Sequence, residues 1–213
     1  MSFLENRLKL APTGLAKIFY INWALLLVLT AIAAIGWVML YSIAGGNIDT
    51  WAMPQIKRFG LGMVILFAVA FVPIWFWRSM SGVSYLVAMI LLLIVEFFGT
   101  VGMGAQRWID IGFMRLQPSE LMKVTLVMML AAYYDWLDDK KVSRPIWVLI
   151  PVVLIVAPTI LVLMQPNLGT SVMLIVAGAG VMFAAGVSFW YFGVVIALVG
   201  GTVAAVIMSE GTP

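Results

Sequence analysis

Residues Ile146–Met164 read IWVLIPVVLIVAPTILVLM, without a single charged side chain. An α-helix needs roughly 20 mostly apolar residues to cross a bilayer, and this run has that length. The strands of a membrane barrel would alternate apolar with polar residues. This run does not alternate, so it reads as a spanning helix. Outward from it, six more runs have the same character: Ile21–Ser42, Gly60–Trp75, Val83–Phe98, Pro118–Tyr134, Leu168–Gly186 and Phe189–Met208. Val83–Phe98 is short but continuous, and Pro118–Tyr134 starts polar. The expected fold is all-α, a polytopic transmembrane helical bundle of about seven spans.

Polar and turn-forming residues separate the runs. Gly45-Gly46-Asn47 and Pro54 break the chain after the first. Pro73 and Arg78 mark a tight turn after the second. Asp135 to Arg144 form a polar hairpin, and Pro166 with Gly169 punctuates the next connection. Trp23, Trp37, Trp51, Trp75, Trp77, Trp136 and Trp147 lie near run ends, where interfacial anchors belong.

Composition agrees. Of 213 residues, 64% are hydrophobic and 10% charged, against about 25% charged in a soluble domain. The mean hydropathy is +1.13, and in water such a chain would expose large sticky patches. There is no cysteine, which excludes disulfides and thiolate chemistry. There is no histidine either, so the commonest general base and the commonest metal ligand are missing. Acid–base work falls to Asp, Glu, Lys or Tyr. The net charge of +3 is small and dispersed, which gives no nucleic-acid signal. The first apolar run is too long for a cleavable signal peptide and lacks a convincing cleavage site.

A cytoplasmic N-terminus places Arg7, Lys9, Lys17, Arg78, Lys140, Lys141 and Arg144 inside. It leaves Lys57, Arg58, Arg107, Arg115 and Lys123 outside, seven against five. That is a weak positive-inside bias. Three of the five outer cations share one short stretch, which suggests use rather than topology. Seven spans put the C-terminus outside, and the chain stops at Ser209–Pro213 just past the last run. It therefore reads as a truncated chain.

That short stretch is the richest in the sequence. Gly104-Ala105-Gln106-Arg107-Trp108-Ile109-Asp110-Ile111-Gly112 leads to Gln117-Pro118-Ser119-Glu120-Leu121-Met122-Lys123. Pro118 suits the first turn of a helix, where its missing N–H costs nothing. Glu120 then sits where the helix dipole favours an anion, and Lys123 shares its face. Ionisable groups near this membrane depth usually face a cavity or a partner. The same spacing also suits a plain ion pair at a helix end. Arg107 and Arg115 equally suit ordinary loop charges, and Trp108 suits one more interfacial anchor. Gln165-Pro166-Asn167-Leu168-Gly169-Thr170 falls on the same face and by itself is a turn between helices. Glu96 ends the third run there, to snorkel to water or to line the same cavity. Asp138, Asp139, Lys140 and Lys141 read as a solvated loop without chemistry.

Three groups of residues carry a resemblance: Gly104-Ala105-Gln106-Arg107-Trp108-Ile109 with Gly112, Gln117-Pro118-Ser119-Glu120 with Lys123, and Gln165-Pro166-x-Leu168-Gly169-Thr170. In this order and at these places between runs, the chain resembles the SEDS family of bacterial cell-wall proteins (RodA, FtsW, SpoVE). It is closest to the RodA branch. The resemblance implies a fold of about ten helices, of which residues 1–213 form the N-terminal transmembrane portion of a SEDS-type glycosyltransferase. It implies polymerisation of lipid II, the undecaprenyl-diphosphate-linked disaccharide peptide, into glycan strands during cell elongation. The alternatives are a lipid II flippase or transporter, and a non-catalytic scaffold for a partner synthase.

The implied partners are a class B penicillin-binding protein and MreC/MreD-type elongation proteins. The implied location is the bacterial cytoplasmic membrane, with the N-terminus inside. Glu120 and Lys123 become activity-linked cavity residues. Arg107, Trp108, Gln117, Ser119, Gln165 and Asn167 become candidate substrate-binding residues. No ligand set demands a metal, although the departing diphosphate would accommodate a divalent cation. Two features depart from the family. Asn167 stands where it usually has Asp, keeping shape and hydrogen bonding without the capacity to ionise. The family's proposed catalytic Asp lies in a large outer loop after the seventh helix, beyond Pro213, so this chain alone is expected to lack polymerase activity.

Overall fold

The computed structural model describes residues 14–102, 105–110, 115–194 and 197. It divides into two compact units, Met1–Phe76 and Trp77–Pro213.

In the first unit a 3-10 helix, Gly14–Tyr20, leads into α1 (Trp23–Ile43) and α2 (Ala52–Phe71). Asn22 caps α1, its side-chain oxygen accepting from the Leu25 N–H at 3.1 Å. Gly45 and Gly46, with φ of 64° and 88°, turn the chain after it, a conformation that glycine adopts without steric cost. Trp37 packs edge-on against Phe59 and Trp23 lies against Phe67, an order of pairs that makes the two helices antiparallel. The far end of α2 is closed by Lys17. Its ammonium donates to the carbonyls of Ala70, Phe71 and Val72 at 3.2, 2.9 and 3.2 Å. Those carbonyls belong to the group that a helix end leaves without partners, and a cation there also answers the helix dipole.

The second helix corrects the expected span Gly60–Trp75. Pro54 starts α2 instead of breaking the chain before it, because in the first turn its missing N–H forfeits no helical bond. The break at Pro73 is confined to 72–73, and α3 (Ile74–Phe98) follows at once. Arg78 therefore lies inside a helix and not in a turn, and the third span is 25 residues long, not the short run Val83–Phe98.

In the second unit α3 is followed by a small antiparallel sheet. Its strands are β1 (Thr100–Gly102), β2 (Ala105–Asp110) and β3 (Arg115–Leu116), in that order. Val101 pairs with Gln106, and Ile109 with Leu116. Then come α4 (Pro118–Trp136), a 3-10 turn at Asp139–Lys141, α5 (Pro145–Met164) and α6 (Leu168–Ala184). Residues 189–194 are helical again. The rest of the expected span Phe189–Met208 lies outside the described residues, Ala197 apart.

The core is a set of stripes at helical spacing: Tyr85, Ala88, Leu92 and Val95 on α3, and Met122, Leu126 and Leu130 on α4. Val148, Ile155 and Val162 on α5 meet Leu174, Gly178 and Met182 on α6. In lipid no hydrophobic effect drives helices together, so shape and hydrogen bonds decide. Shape acts at Gly178. A Cβ placed there would lie 2.5 Å from Cδ1 and Cγ1 of Ile155, so α5 and α6 approach as closely as a glycine allows.

Hydrogen bonds act along α5. Pro151 and Pro158, both buried, cannot bond back to the carbonyls four residues earlier, at Trp147 and Leu154. Each orphan has a tyrosine. Tyr133 of α4 donates to the Trp147 carbonyl and Tyr85 of α3 to the Leu154 carbonyl, both at 2.8 Å. Backbone groups at membrane depth must be satisfied within the protein, and here side chains of two neighbouring helices do it. Farther from the sheet, Arg78 of α3 and Asp135 of α4 form a 2.7 Å ion pair.

Among the described residues, α1, α2, α3 and α5 are long and apolar enough to cross a membrane. α6 is apolar but shorter, and α4 carries Glu120, Lys123 and Asp135. The chain is a multi-pass membrane protein.

Candidate active site

α4 begins as its sequence prescribes. Pro118 occupies the first turn, Glu120 sits in it, and the helix enters from extended backbone at Gln117. The Gln117 side chain donates to Ser119 Oγ at 3.1 Å. Ser119 is buried, 1% exposed. Glu120 and Lys123 are paired, Nζ to Oε1 at 2.8 Å, with about half of the Glu120 side chain open and a quarter of Lys123. The Lys123 ammonium also lies 3.9 Å from Met173 Sδ on α6. A partly covered cation with an exposed carboxylate beside it can meet an anionic ligand and a proton-bearing group together.

The sheet folds over the same end of the unit, with β2 packed on α4. Arg107 leaves β2 for the turn between α5 and α6. Its Nε donates to the Gln165 carbonyl at 3.0 Å and its terminal nitrogen to the Pro166 carbonyl. Gln165 is itself buried and donates from Nε2 to the Leu92 carbonyl of α3 at 3.3 Å. Asn167 caps α6. Its Oδ1 accepts from the Thr170 N–H at 3.4 Å, and its carbonyl accepts from Ser171 Oγ at 2.9 Å. Asp110 and Arg115 face each other across β2 and β3 at 3.9 Å, both well exposed. Trp108 is half-buried.

The structure thus brings Glu120 to Lys123, Gln117 to Ser119, and Arg107 to the Gln165–Pro166 backbone. It forms no ion pair between Arg107 and Glu120. Glu96 lies within the last turn of α3, half-buried. Gly104 and Ile111–Met114 are outside the described residues. Among the described residues no group of three or more His, Cys, Asp or Glu is placed to hold a metal ion. The three strands and the acceptors of Arg107 went unread in the sequence, because a short sheet edged by glycines has no periodicity to announce it.

The model of the FtsW/RodA/SpoVE family, described as cell cycle protein, matches residues 18–212. The chain belongs to this family. The peptidoglycan glycosyltransferase MrdB of Escherichia coli (strain K12) is 33% identical over 182 residues, which cover 84% of this chain and 48% of that protein. A solved structure described as coordinating polymerization and crosslinking by a peptidoglycan synthase complex superposes with TM-score 0.78 at 25% identity, covering 90% of this chain and 56% of the other. The Thermus thermophilus rod shape determining protein RodA, solved as its D255A mutant, superposes with TM-score 0.72 at 26% identity, covering 87% and 59%. The chain spans about half the length of the curated relatives it matches.

Proposed function

We propose that the protein is part of a peptidoglycan glycosyltransferase that polymerises lipid II into glycan strands, and that the Glu120–Lys123 pair works on the lipid-linked diphosphate. The observation that carries the reading is this pair, half open at the head of α4 in a chain of this family. In the reaction an acceptor sugar hydroxyl attacks the anomeric carbon of a donor, the bond to the diphosphate breaks, and the hydroxyl proton passes to a carboxylate. Charge builds on the departing diphosphate, where a fixed cation stabilises it. Lys123 supplies that cation as a point charge, and Glu120 holds it in place. The apolar helices offer a surface to the polyprenyl tail.

The resemblance to a rod shape determining protein supports a role in elongation beside MreC/MreD-type proteins. The resemblance to a synthase complex supports a crosslinking partner of the class B penicillin-binding type. The sheet end then lies outside the cytoplasmic membrane and the N-terminus inside. The test is synthesis of glycan strands from purified lipid II by the full-length protein of which this chain is part. Glu120→Ala and Lys123→Ala are each expected to abolish it while the protein stays folded in the membrane. Normal synthesis by both variants removes the pair from the site.

A further inference from the structure

Two N–H groups of one planar guanidinium rest on two consecutive carbonyls at the end of α5, those of Gln165 and Pro166. A helix C-terminus gathers unpaired carbonyls and partial negative charge, and a fork binds two acceptors in one fixed direction where an ammonium cannot. The contact closes a ring of elements. β2, which carries Arg107, packs on α4, and α4 packs on α6. On that second interface Lys123 meets Met173. α6 starts from the turn that Arg107 holds, capped by Asn167. The turn is tied a second time by buried Gln165 to Leu92 of α3.

We propose that Arg107 is a positioning residue: its fork sets the Gln165–Asn167 turn against the hairpin and so fixes α6, with Met173, beside Lys123. Its consequence for turnover rests on the function proposed above, whereas its geometry does not. This differs from a direct part in holding the substrate's diphosphate. A residue that touches the anion would show itself in binding. One that sets geometry would show itself in turnover, because a misplacement of about 1 Å costs on the order of 100-fold in rate.

The chain has no cysteine, so nitroxides can be placed cleanly. Arg115→Cys with Leu168→Cys reports the hairpin against the turn, and Lys140→Cys with Phe189→Cys serves as a control at the other end of the unit. In the full chain in lipid nanodiscs, Arg107→Ala and Arg107→Lys are both expected to shift or broaden the hairpin–turn distance and to leave the control pair unchanged. In the full-length, unlabelled protein of which this chain is part, both are expected to lower kcat by about 100-fold with little change in KM for lipid II. An unchanged hairpin–turn distance overturns the proposal, as does a wild-type distance in Arg107→Lys, since charge alone would then suffice. A raised KM at unchanged distance assigns Arg107 to the substrate instead. Should the variants not fold, solid-state NMR of the wild-type chain decides. Cross-peaks from the Arg107 guanidinium nitrogens to the Gln165 and Pro166 carbonyl carbons support the proposal, and their absence ends it. A full-length wild-type protein that makes no glycan strands refutes the proposed function and leaves these distances to judge Arg107 alone.

Discussion

Glu120 and Lys123 pose the sharpest question at the level of single residues, because their 2.8 Å contact suits both a working site and a plain helix-end pair. Exchanging the two separates these roles. Glu120→Lys with Lys123→Glu keeps an i,i+3 pair and loses only the favourable placement of an anion in the first turn, about 0.3–1 kcal/mol. A merely structural pair would leave glycan-strand synthesis near wild type in the exchanged protein. A cation needed at the Lys123 position would leave it as inactive as Lys123→Ala. We expect loss, measured by strand formation from lipid II by the full-length protein at matched protein levels. Asn167 gives a second test. Asn and Asp cap helices about equally well, and Ala costs roughly 1 kcal/mol. Asn167→Asp is therefore expected to keep the thermal midpoint of wild type in detergent, and Asn167→Ala to lower it. A midpoint drop in Asn167→Asp as large as that of Asn167→Ala would show that the cap to Thr170 is not what this residue does.

The elements owe their positions to hydrogen bonds that no periodicity announces. The apolar runs were legible because the bilayer demands length and apolarity, and α1, α5 and α6 came out within a few residues of the reading. The ends of α2 and α3 were misread because proline breaks a helix or begins one according to the turn it occupies, and composition does not say which. The sheet was missed for want of a repeat. At the site, the spacing of Glu120 and Lys123 and the start at Pro118 were readable locally. The acceptors of Arg107 lie 58 and 59 residues away, and no local pattern points to them. The tyrosine contacts on α5 were half legible, since each proline names its own orphan carbonyl. Tyr85→Phe and Tyr133→Phe are each expected to cost about 1 kcal/mol, toward the upper part of the range for interhelical bonds in lipid. The cost should shrink in Pro158→Ala and Pro151→Ala backgrounds respectively, where the alanine N–H restores the helical bond. Additive losses in unfolding titrations would show that the hydroxyls do not serve those carbonyls. At Gly178 the neighbour is buried Ile155. Gly178→Ala is expected to destabilise by about 1–3 kcal/mol, and Ile155→Ala to relieve part of that in the double variant.

For the whole molecule the governing fact is how much apolar side chain its described helices leave open. Large apolar side chains stand open on every long helix, Ile35 and Val38 on α1 and Leu149 and Val153 on α5 among them, at no cost when the solvent is equally apolar. Polar side chains are concentrated where helices end. In the second unit Arg107, Gln117, Glu120, Lys123 and Gln165 gather at the sheet end, and Arg78, Asp135, Asp138 and Lys140 at the other. Cations are thus nearly balanced between the two ends, and that is why the positive-inside count was weak: Arg107 and Lys123 are engaged in contacts of their own and cannot be read as topology signals. Sidedness must then follow from the number of crossings. With the N-terminus inside, three spans bring the chain to the sheet end outside, and a fourth returns it to the loop at Asp138–Lys141. In the cysteine-free background a membrane-impermeant maleimide added to intact spheroplasts should modify Arg115→Cys at once and Lys140→Cys only after permeabilisation. The reverse pattern would turn the Glu120–Lys123 pair toward the cytoplasm, where no glycan strand is assembled, and the proposed reaction would fall with it.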